Sequence, residues 1–209
     1  MARYTGAVCR LCRRYGEKLY LKGDRCFGPK CSFTKRPTPP GTTGNQRRRK
    51  VSDRGLQLRE KQRARVLYGL LEKQFRSYYN EALRRTGITG DLLIRSLESR
   101  LDNVVYRLGF ADSRKQARQV VRHGHISLND RKTDIPSAQV KVGDTVGFTL
   151  RGSKTEYAKI VQETVRSKQA PSWLSLDMAA MKGRVIGEPT LETAESFFDP
   201  NVIVEYYSR

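Results

Sequence analysis

Four cysteines close together in the first part of the sequence constrain this chain more than any other feature. They follow the pattern Cys9-x2-Cys12-x13-Cys26-x4-Cys31, and no cysteine occurs elsewhere in the 209 residues. Two close pairs joined by a loop suit one tetrahedral metal ion, because each pair supplies two sulfurs at about 2.3 Å from the metal. Gly28-Pro29 lies inside the second pair and favours the tight turn that such a knuckle needs. The spacing therefore predicts a metal site with four sulfur ligands.

Zinc is the metal that this spacing favours, and an iron–sulfur cluster is the alternative, since it also accepts four thiolates. A thioredoxin-like redox role would need a Cys-x-x-Cys motif in a βαβ context, which the sequence does not show. A closed four-sulfur site leaves no position for water, so the metal would be structural rather than catalytic.

The sequence also indicates where such a protein would reside. Its start, Met1–Gly6, has no apolar run of the signal-peptide kind. No stretch approaches the roughly 20 apolar residues that span a bilayer. We therefore expect a cytoplasmic protein with reduced thiols, in which disulfides are disfavoured.

Positive charge is abundant, and it is concentrated in the segment that holds the cysteines. The chain carries 41 lysines and arginines against 21 acidic residues, a net charge of +20. Residues 1–50 hold 14 of the basic residues against 2 acidic ones, whereas residues 151–209 hold 8 of each. A membrane-surface helix is disfavoured, because residues 1–50 are rich in Gly and Pro and show no long amphipathic period. The charge therefore indicates a nucleic-acid partner.

Helical periodicity begins after a connector without regular period. Residues 35–44 contain three prolines and two glycines, which favours an extended chain. From Ser52 onward, apolar residues recur at spacings of three and four, as on one face of a helix. Gly69 is a candidate break in this pattern, and Gly87 is a candidate end. The apolar residues are Leu56, Val66, Leu67, Leu70, Leu71, Phe75, Tyr78, Tyr79 and Leu83.

A second helical pattern begins near Asp91 and precedes a short basic helix. Ser113 is a good N-cap for a helix over residues 114–122, and Gly124 suits the left-handed residue that ends one. At 100° per residue, four basic side chains of that helix share one arc of about 100°, and Ala117, Val120 and Val121 share another. The pattern predicts one packed face and one cationic face.

Alternating apolar residues follow this helix and predict short strands. The alternation covers residues 126–128, 140–142 and 146–150, with turns at Asn129-Asp130 and Gly143-Asp144. Two helices followed by a small antiparallel sheet make a compact α+β module, and we expect an α+β fold for the whole chain.

Basic residues in both segments are the candidate RNA contacts. In the N-terminal arm they are Arg10, Arg13, Arg14, Lys30, Arg47, Arg48, Arg49 and Lys50. In the helix after Ser113 they are Arg114, Lys115, Arg118 and Arg122. His123 and His125 flank Gly124 and are expected to cap the helix or contact RNA, since a metal site would need further ligands.

Several segments resemble bacterial-type small-subunit ribosomal protein four. Residues 97–111, continuing through 113–121 to 122–126, resemble the signature of that family. Three stretches, residues 58–62, 68–69 and 72–75, resemble its first helical domain, and residues 171–175 and 203–209 resemble its C-terminal portion. The resemblance covers nearly the whole chain. Thr42-Thr43 stands where many members have Gln-His, and the four-cysteine, zinc-binding knuckle belongs to some members only.

The resemblance implies a structural constituent of the small ribosomal subunit. Members are primary binders of small-subunit rRNA that join its 5′ domain early and nucleate assembly of the subunit body. They contact small-subunit ribosomal protein five, border the path by which messenger RNA enters, and contribute to translational accuracy. The implied domains are a basic arm with a metal knuckle (1–45), a helical domain (46–92 with 166–209) and an inserted α+β RNA-binding module (93–165).

Two other classes of protein, an enzyme and a DNA-binding regulator, are the alternatives to a non-catalytic RNA-binding protein. An enzyme would need a catalytic domain, yet the residues outside the arm and the module contain no nucleophile elbow, phosphate-binding glycine loop or clustered carboxylates. A zinc-dependent DNA-binding regulator would need a recognition helix, for which residues 15–23 are too short and too rich in glycine. We therefore expect a binder whose affinity falls steeply with salt and whose specificity comes from RNA shape.

Overall fold

The computed structural model describes residues 4–41, 50–192, 194 and 198–208. The helices of these residues are α1 (Cys9–Tyr15), α2 (Ser32–Lys35), α3 (Asp53–Leu67), α4 (Glu72–Arg84), α5 (Thr89–Glu98), α6 (Leu101–Arg107), α7 (Arg114–Arg122), α8 (Leu150–Ser153), α9 (Glu156–Thr164) and α10 (Pro200–Ser208). Short 3-10 helices cover Gly23–Cys26 and Val165–Ser167. The strands are β1 (Ile126–Leu128), β2 (Arg131–Lys132), β3 (Thr145–Phe148), β4 (Leu174–Asp177) and β5 (Lys182–Val185). The expected α+β class is confirmed, and no helix in these ranges is long and apolar enough to cross a membrane.

The chain divides into two compact units, residues 1–93 with 196–209, and residues 94–195. In the first unit, Ser52 begins α3 as its N-cap, and its hydroxyl accepts a hydrogen bond from the Gly55 N–H at 3.3 Å. Gly69 has a φ of 65°, a left-handed conformation that glycine adopts at low cost, and it separates α3 from α4 as predicted.

The C-terminal helix α10 packs against α3 and completes the first unit. Its Tyr207 ring stacks on Tyr79 of α4 at 4.5 Å between centroids, and the Tyr207 hydroxyl donates to Glu72 at 2.8 Å. The same Glu72 carboxylate pairs with the buried Lys61 ammonium at 2.7 Å. Helix α10, whose Ile203 is fully buried, is therefore part of the core of the first unit.

In the second unit, α6 packs against α7, and a five-stranded antiparallel sheet has the order β2-β1-β3-β5-β4. The core of this unit includes residues from both helices and from the sheet, among them Val105, Val121 and Val146, which are fully buried. The predicted turn at Asn129-Asp130 forms the β1–β2 hairpin, with both residues at positive φ.

Three features of the second unit differ from the sequence-based expectation. Residues 140–142 form no strand, although Gln139 forms an isolated bridge with Arg100 and the Val140 N–H donates to the Ser99 carbonyl at 2.8 Å. Leu150 begins α8 and is 87 % exposed instead of extending β3. Strands β4 and β5 lie beyond residue 165, where a helical domain was expected, and β5 pairs with β3. The expected boundary after residue 165 thus falls inside this unit.

Candidate nucleic-acid interface

Helix α7 begins and ends where local chemistry predicts. The Ser113 hydroxyl accepts a hydrogen bond from the Gln116 N–H at 3.3 Å, and the Gln116 side chain accepts one from the Asp112 N–H at 2.9 Å. These bonds satisfy donors at a helix start that the helix itself leaves free. Gly124 follows the helix with a φ of 72°. The predicted N-cap and the predicted left-handed end are both confirmed.

Beneath α7, two buried carboxylates of α5 and α6 bind arginines. Glu98 has no exposed surface, and both of its carboxylate oxygens accept hydrogen bonds from Arg107, at 3.0 and 3.2 Å. Asp102 accepts two hydrogen bonds from Arg100, at 3.0 and 2.7 Å. Such two-point contacts fix the orientation of both partners.

Two of the four basic residues of α7 that were predicted to contact RNA turn toward these buried carboxylate–arginine pairs. The Arg114 Nε donates to the Asn103 side-chain oxygen at 2.7 Å, and its guanidinium lies 4.6 Å above the Tyr106 ring. Arg118 is only 7 % exposed and lies 3.7 Å from Asp102. Arg114 and Arg118 of the predicted cationic face thus turn toward Asn103, Glu98 and Asp102 on neighbouring helices, and their role as RNA contacts stays a prediction.

The remaining basic residues of α7 stay toward solvent. Arg122 is exposed, and Lys115 is half-buried. Ion pairs of 2.7 to 3.9 Å join the carboxylates of Glu98 and Asp102 to Arg100, Arg107, Arg114 and Arg118. Arg122 therefore lies on the exposed side of a helix whose inner side packs against a network rich in arginine.

The two predicted histidines meet at the end of α7. His123 is exposed, His125 is half-buried, and their ring centroids lie 6.0 Å apart. Burial lowers the pKa of His125, and electrostatic repulsion from the His123 and Arg151 side chains lowers it further. His125 is therefore neutral near pH 7 and can offer hydrogen bonds rather than charge.

The basic residues around the cysteines are for the most part exposed. Arg10 and Arg14 project from α1 into solvent, whereas Arg13 donates to the Thr38 carbonyl oxygen at 2.8 Å. Lys30 and Lys50 are exposed. Arg47, Arg48 and Arg49, also predicted as contacts, lie outside the described residues. Lys22 and Arg25, between the two cysteine pairs, are also exposed. They were not predicted as RNA contacts, although their position between the pairs could have indicated them.

The cysteine thiols are free and mostly buried, and backbone N–H groups point at them. Cys12, Cys26 and Cys31 are buried, and Cys9 is half-buried. The Lys22 N–H donates to the Cys26 sulfur at 3.4 Å. The Leu19 N–H likewise donates to Cys12, and the N–H groups of Phe33 and Thr34 donate to Cys31.

These surroundings affect two of the thiols in opposite directions. Burial raises the pKa of Cys12, and charge on the other three cysteines raises it further, so the four sulfurs lie close enough to influence one another. The hydrogen bond from the Thr34 N–H lowers the pKa of Cys31. A lowered pKa favours the thiolate form of Cys31, which is the form that binds metal.

The predicted four-sulfur site is not assembled in the structure. Within the part of the chain that the structure describes, no group of three or more Cys, His, Asp or Glu side chains is arranged to hold a metal ion. The donor chemistry nevertheless fits zinc or an iron–sulfur cluster, since four free thiols share one short segment and three of them accept backbone hydrogen bonds. The metal site therefore stays a prediction.

Comparison with known proteins matches residues 3–146 of the sequence to two family models. The ribosomal protein S4/S9 N-terminal domain matches residues 3–98, and the S4 domain matches residues 99–146. The chain is 51% identical to small ribosomal subunit protein uS4 of Syntrophomonas wolfei, 52% identical to that of Heliobacterium modesticaldum and 48% identical to that of Thermus thermophilus. Each alignment covers 209 residues and all of both chains.

Proposed function

Because this chain belongs to the family of small ribosomal subunit protein uS4, and is thus a structural, rRNA-binding protein rather than an enzyme, we propose that it binds small-subunit rRNA through a cationic surface on each unit. Identity of about half over the full length of three relatives carries the family assignment. The observation that carries the proposed mechanism is the position of Arg122 on α7, exposed above a buried network rich in arginine.

On the second unit, some residues of α7 contact RNA and others hold the helix in place. Arg122, Lys115 and His123 contact phosphates or 2′-hydroxyls, because they face solvent wholly or in part. Arg114 and Arg118 hold α7 on α6 through Asn103 and Asp102, and they add positive potential behind the contacting side chains. His125, neutral near pH 7, contributes hydrogen bonds.

On the first unit, the contacts are the exposed cations around the cysteines. Arg10, Arg14 and Lys30 project into solvent, and Lys22 and Arg25 join them. Arg13 stabilises the segment through the Thr38 carbonyl, and it can still add charge to the surface. Arg47, Arg48, Arg49 and Lys50 extend these contacts along the arm that leads to α3.

Zinc holds the cysteine segment in place in this proposal, and an iron–sulfur cluster is the alternative. Cys9, Cys12, Cys26 and Cys31 would be the ligands, and the metal would supply a crosslink and no reaction. The apolar core of this segment is small and centres on Cys12, Tyr15 and Leu19, so a crosslink would further fix the positions of its arginines. The backbone N–H groups directed at three of the sulfurs support this assignment.

The resemblance to family members supports the finer features of the role. The chain joins the 5′ domain of small-subunit rRNA early and nucleates assembly of the subunit body. It contacts small-subunit ribosomal protein five and other proteins of the subunit, borders the path by which messenger RNA enters, and contributes to translational accuracy. The division into a basic arm, a helical domain and an inserted module belongs to the same proposal, with residues 166–195 now assigned to the module.

Competition binding tests the proposed function. A 5′-domain junction of small-subunit rRNA and a random duplex of equal length would be titrated with the full chain at several salt concentrations. Counterion release weakens binding to both RNAs as salt rises, but shape recognition favours the junction. We expect a preference for the junction that grows with salt. Equal affinity for both RNAs at raised salt would overturn the proposal.

A further inference from the structure

Helix α4 presents an exposed face that sequence analysis did not single out. Five polar side chains on it share one arc of about 100° and extend over roughly 16 Å of helix, at 1.5 Å per residue. All five are exposed, and none is acidic. They are Lys73, Arg76, Ser77, Asn80 and Arg84, and we call this set the α4 stripe.

The opposite face of α4 fixes the stripe in place. Phe75 and Ala82 are fully buried, and Tyr79 is 4 % exposed. Tyr207 of α10 stacks on both aromatic rings, at 6.5 Å from Phe75 and 4.5 Å from Tyr79. Since these residues lie about half a turn away from the stripe, packing of the first unit directs the stripe to solvent.

The cations of the stripe are not neutralised by their own helix. Among the described residues, no carboxylate forms an ion pair with Lys73, Arg76 or Arg84. The two acidic residues of α4 have other partners. Glu72 pairs with Lys61, and Glu81 pairs with Arg85, which lies outside the stripe.

We propose that the α4 stripe binds the phosphodiester backbone of an RNA helix, as a further contact surface of the first unit. The lysine and arginines match phosphate charge, while the Ser77 hydroxyl and the Asn80 amide can donate to phosphate or 2′-hydroxyl oxygens. Protein interfaces centre on apolar or aromatic residues; the stripe contains none, and Leu83 is the one exposed apolar side chain of α4 beside it. The polar, cationic character of the stripe thus favours RNA over a protein partner. Surfaces that bind nucleic acid are instead polar and strongly positive. This inference rests on the proposed rRNA-binding function.

A matched pair of triple variants of the full chain tests the inference. The stripe variant carries Lys73→Gln, Arg76→Gln and Arg84→Gln. The control variant carries Arg85→Gln, Lys159→Gln and Lys182→Gln, which removes three exposed cations that each pair with a carboxylate. Both variants lose the same net charge, and melting of each protein would be recorded to verify folding.

The readout is the affinity for the junction RNA as a function of salt. Each lost phosphate contact reduces the magnitude of the slope of log K against log salt by about 0.7 to 0.9. The slope of the stripe variant should therefore be smaller in magnitude by roughly two. Its affinity near 0.1 M salt should be roughly 10- to 100-fold weaker. The control should lose less than about one from the slope. A charge-retaining variant with Lys73→Arg, Arg76→Lys and Arg84→Lys should keep the slope of the parent protein.

The outcomes separate this inference from the function beneath it. Equal slopes for the stripe and control variants would overturn the inference while leaving rRNA binding intact. Loss of a ribosomal protein contact with unchanged RNA affinity would also overturn it, in favour of a protein partner. Failure of the parent protein to prefer the junction over a random duplex would instead defeat the proposed function itself.

Discussion

Glu98, which has no exposed surface, accepts hydrogen bonds from Arg107 at both of its carboxylate oxygens, at 3.0 and 3.2 Å. It also accepts one from the Asn103 amide at 2.8 Å, and Asn103 in turn accepts from Arg114. One buried carboxylate thus joins α5, α6 and α7, and it orients the helix that carries the proposed RNA contacts.

Replacement of Glu98 should therefore destabilise the second unit. The variant Glu98→Gln keeps the shape of the side chain but leaves buried arginines without a balancing charge. We expect the free energy of unfolding to fall by about 3 to 5 kcal/mol, the usual cost of removing one partner of a buried pair. Urea unfolding measures this change. Glu156→Gln, which breaks an exposed pair with Lys159, is the control and should change stability by less than about 1 kcal/mol.

Arg118 and Arg122 should respond differently to the same substitution. Arg118→Gln removes a buried cation 3.7 Å from Asp102 and should lower the free energy of unfolding by about 1 to 3 kcal/mol. Arg122→Gln changes an exposed residue and should leave stability within about 0.5 kcal/mol. It should instead weaken RNA binding and lower the salt slope by about one. Urea unfolding and RNA titration of both variants distinguish these effects, and loss of stability in Arg122→Gln would show that its role is structural.

The contribution of Glu72 should depend on pH in the acid range. Burial raises the pKa of this carboxyl, but hydrogen bonds from Lys61 and Tyr207, together with the charges of Lys61 and Arg65, outweigh burial and leave the pKa below its ordinary value. The folded protein therefore binds a proton here less readily than the unfolded chain does. The resulting stability is present above the ordinary pKa of 4.5 and is lost as pH falls through the lowered value.

Comparison with Glu72→Gln tests this dependence. Near pH 7 the parent protein should be more stable than the variant, and the difference should shrink steadily below about pH 4.5. Urea unfolding at several pH values gives both stabilities. A difference that stayed constant to about pH 3 would contradict the proposed interaction of Glu72 with Lys61 and Tyr207.

Metal removal should loosen the cysteine segment. We expect protein purified under reducing conditions without chelator to contain about one zinc ion per chain, the stoichiometry of a closed four-sulfur site. Treatment with a chelator, or Cys12→Ser, should raise hydrogen exchange over residues 9–31 and weaken RNA binding. Ser32→Ala, directly after this segment, should do neither. Iron with sulfide would identify the alternative cluster, and protein containing neither metal would exclude the metal site.

Local chemistry allowed several elements of the second unit to be predicted from the sequence. Ser113 and Gly124 were placed correctly at the ends of α7, because capping depends on a few neighbouring residues. The burial of Arg118 beside Asp102 could not be predicted, since a helical projection contains no information about a carboxylate on another helix.

Long-range pairing accounts for what the sequence patterns did not reveal. Strand β5 alternates between exposed basic residues and buried Gly183 and Val185, a pattern too short and too weakly apolar to predict a strand by itself. It forms because β3 offers a free edge and because Gly183 allows Leu108 to approach the sheet closely. The α4 stripe was missed for a related reason. Its residues are spread along the sequence, and only the packing of the opposite, apolar face of α4 shows that they share one fixed surface.

The central claim is that fixed cationic surfaces on both units recognise one site in small-subunit rRNA. Backbone footprinting of that rRNA with the full chain, at a salt concentration that suppresses non-specific binding, tests it most directly. We predict protection confined to one junction of the 5′ domain, with part of it lost in Arg122→Gln and another part lost in Arg10→Gln with Arg14→Gln. Protection spread evenly over the rRNA, or protection unchanged by either set of substitutions, would contradict the claim.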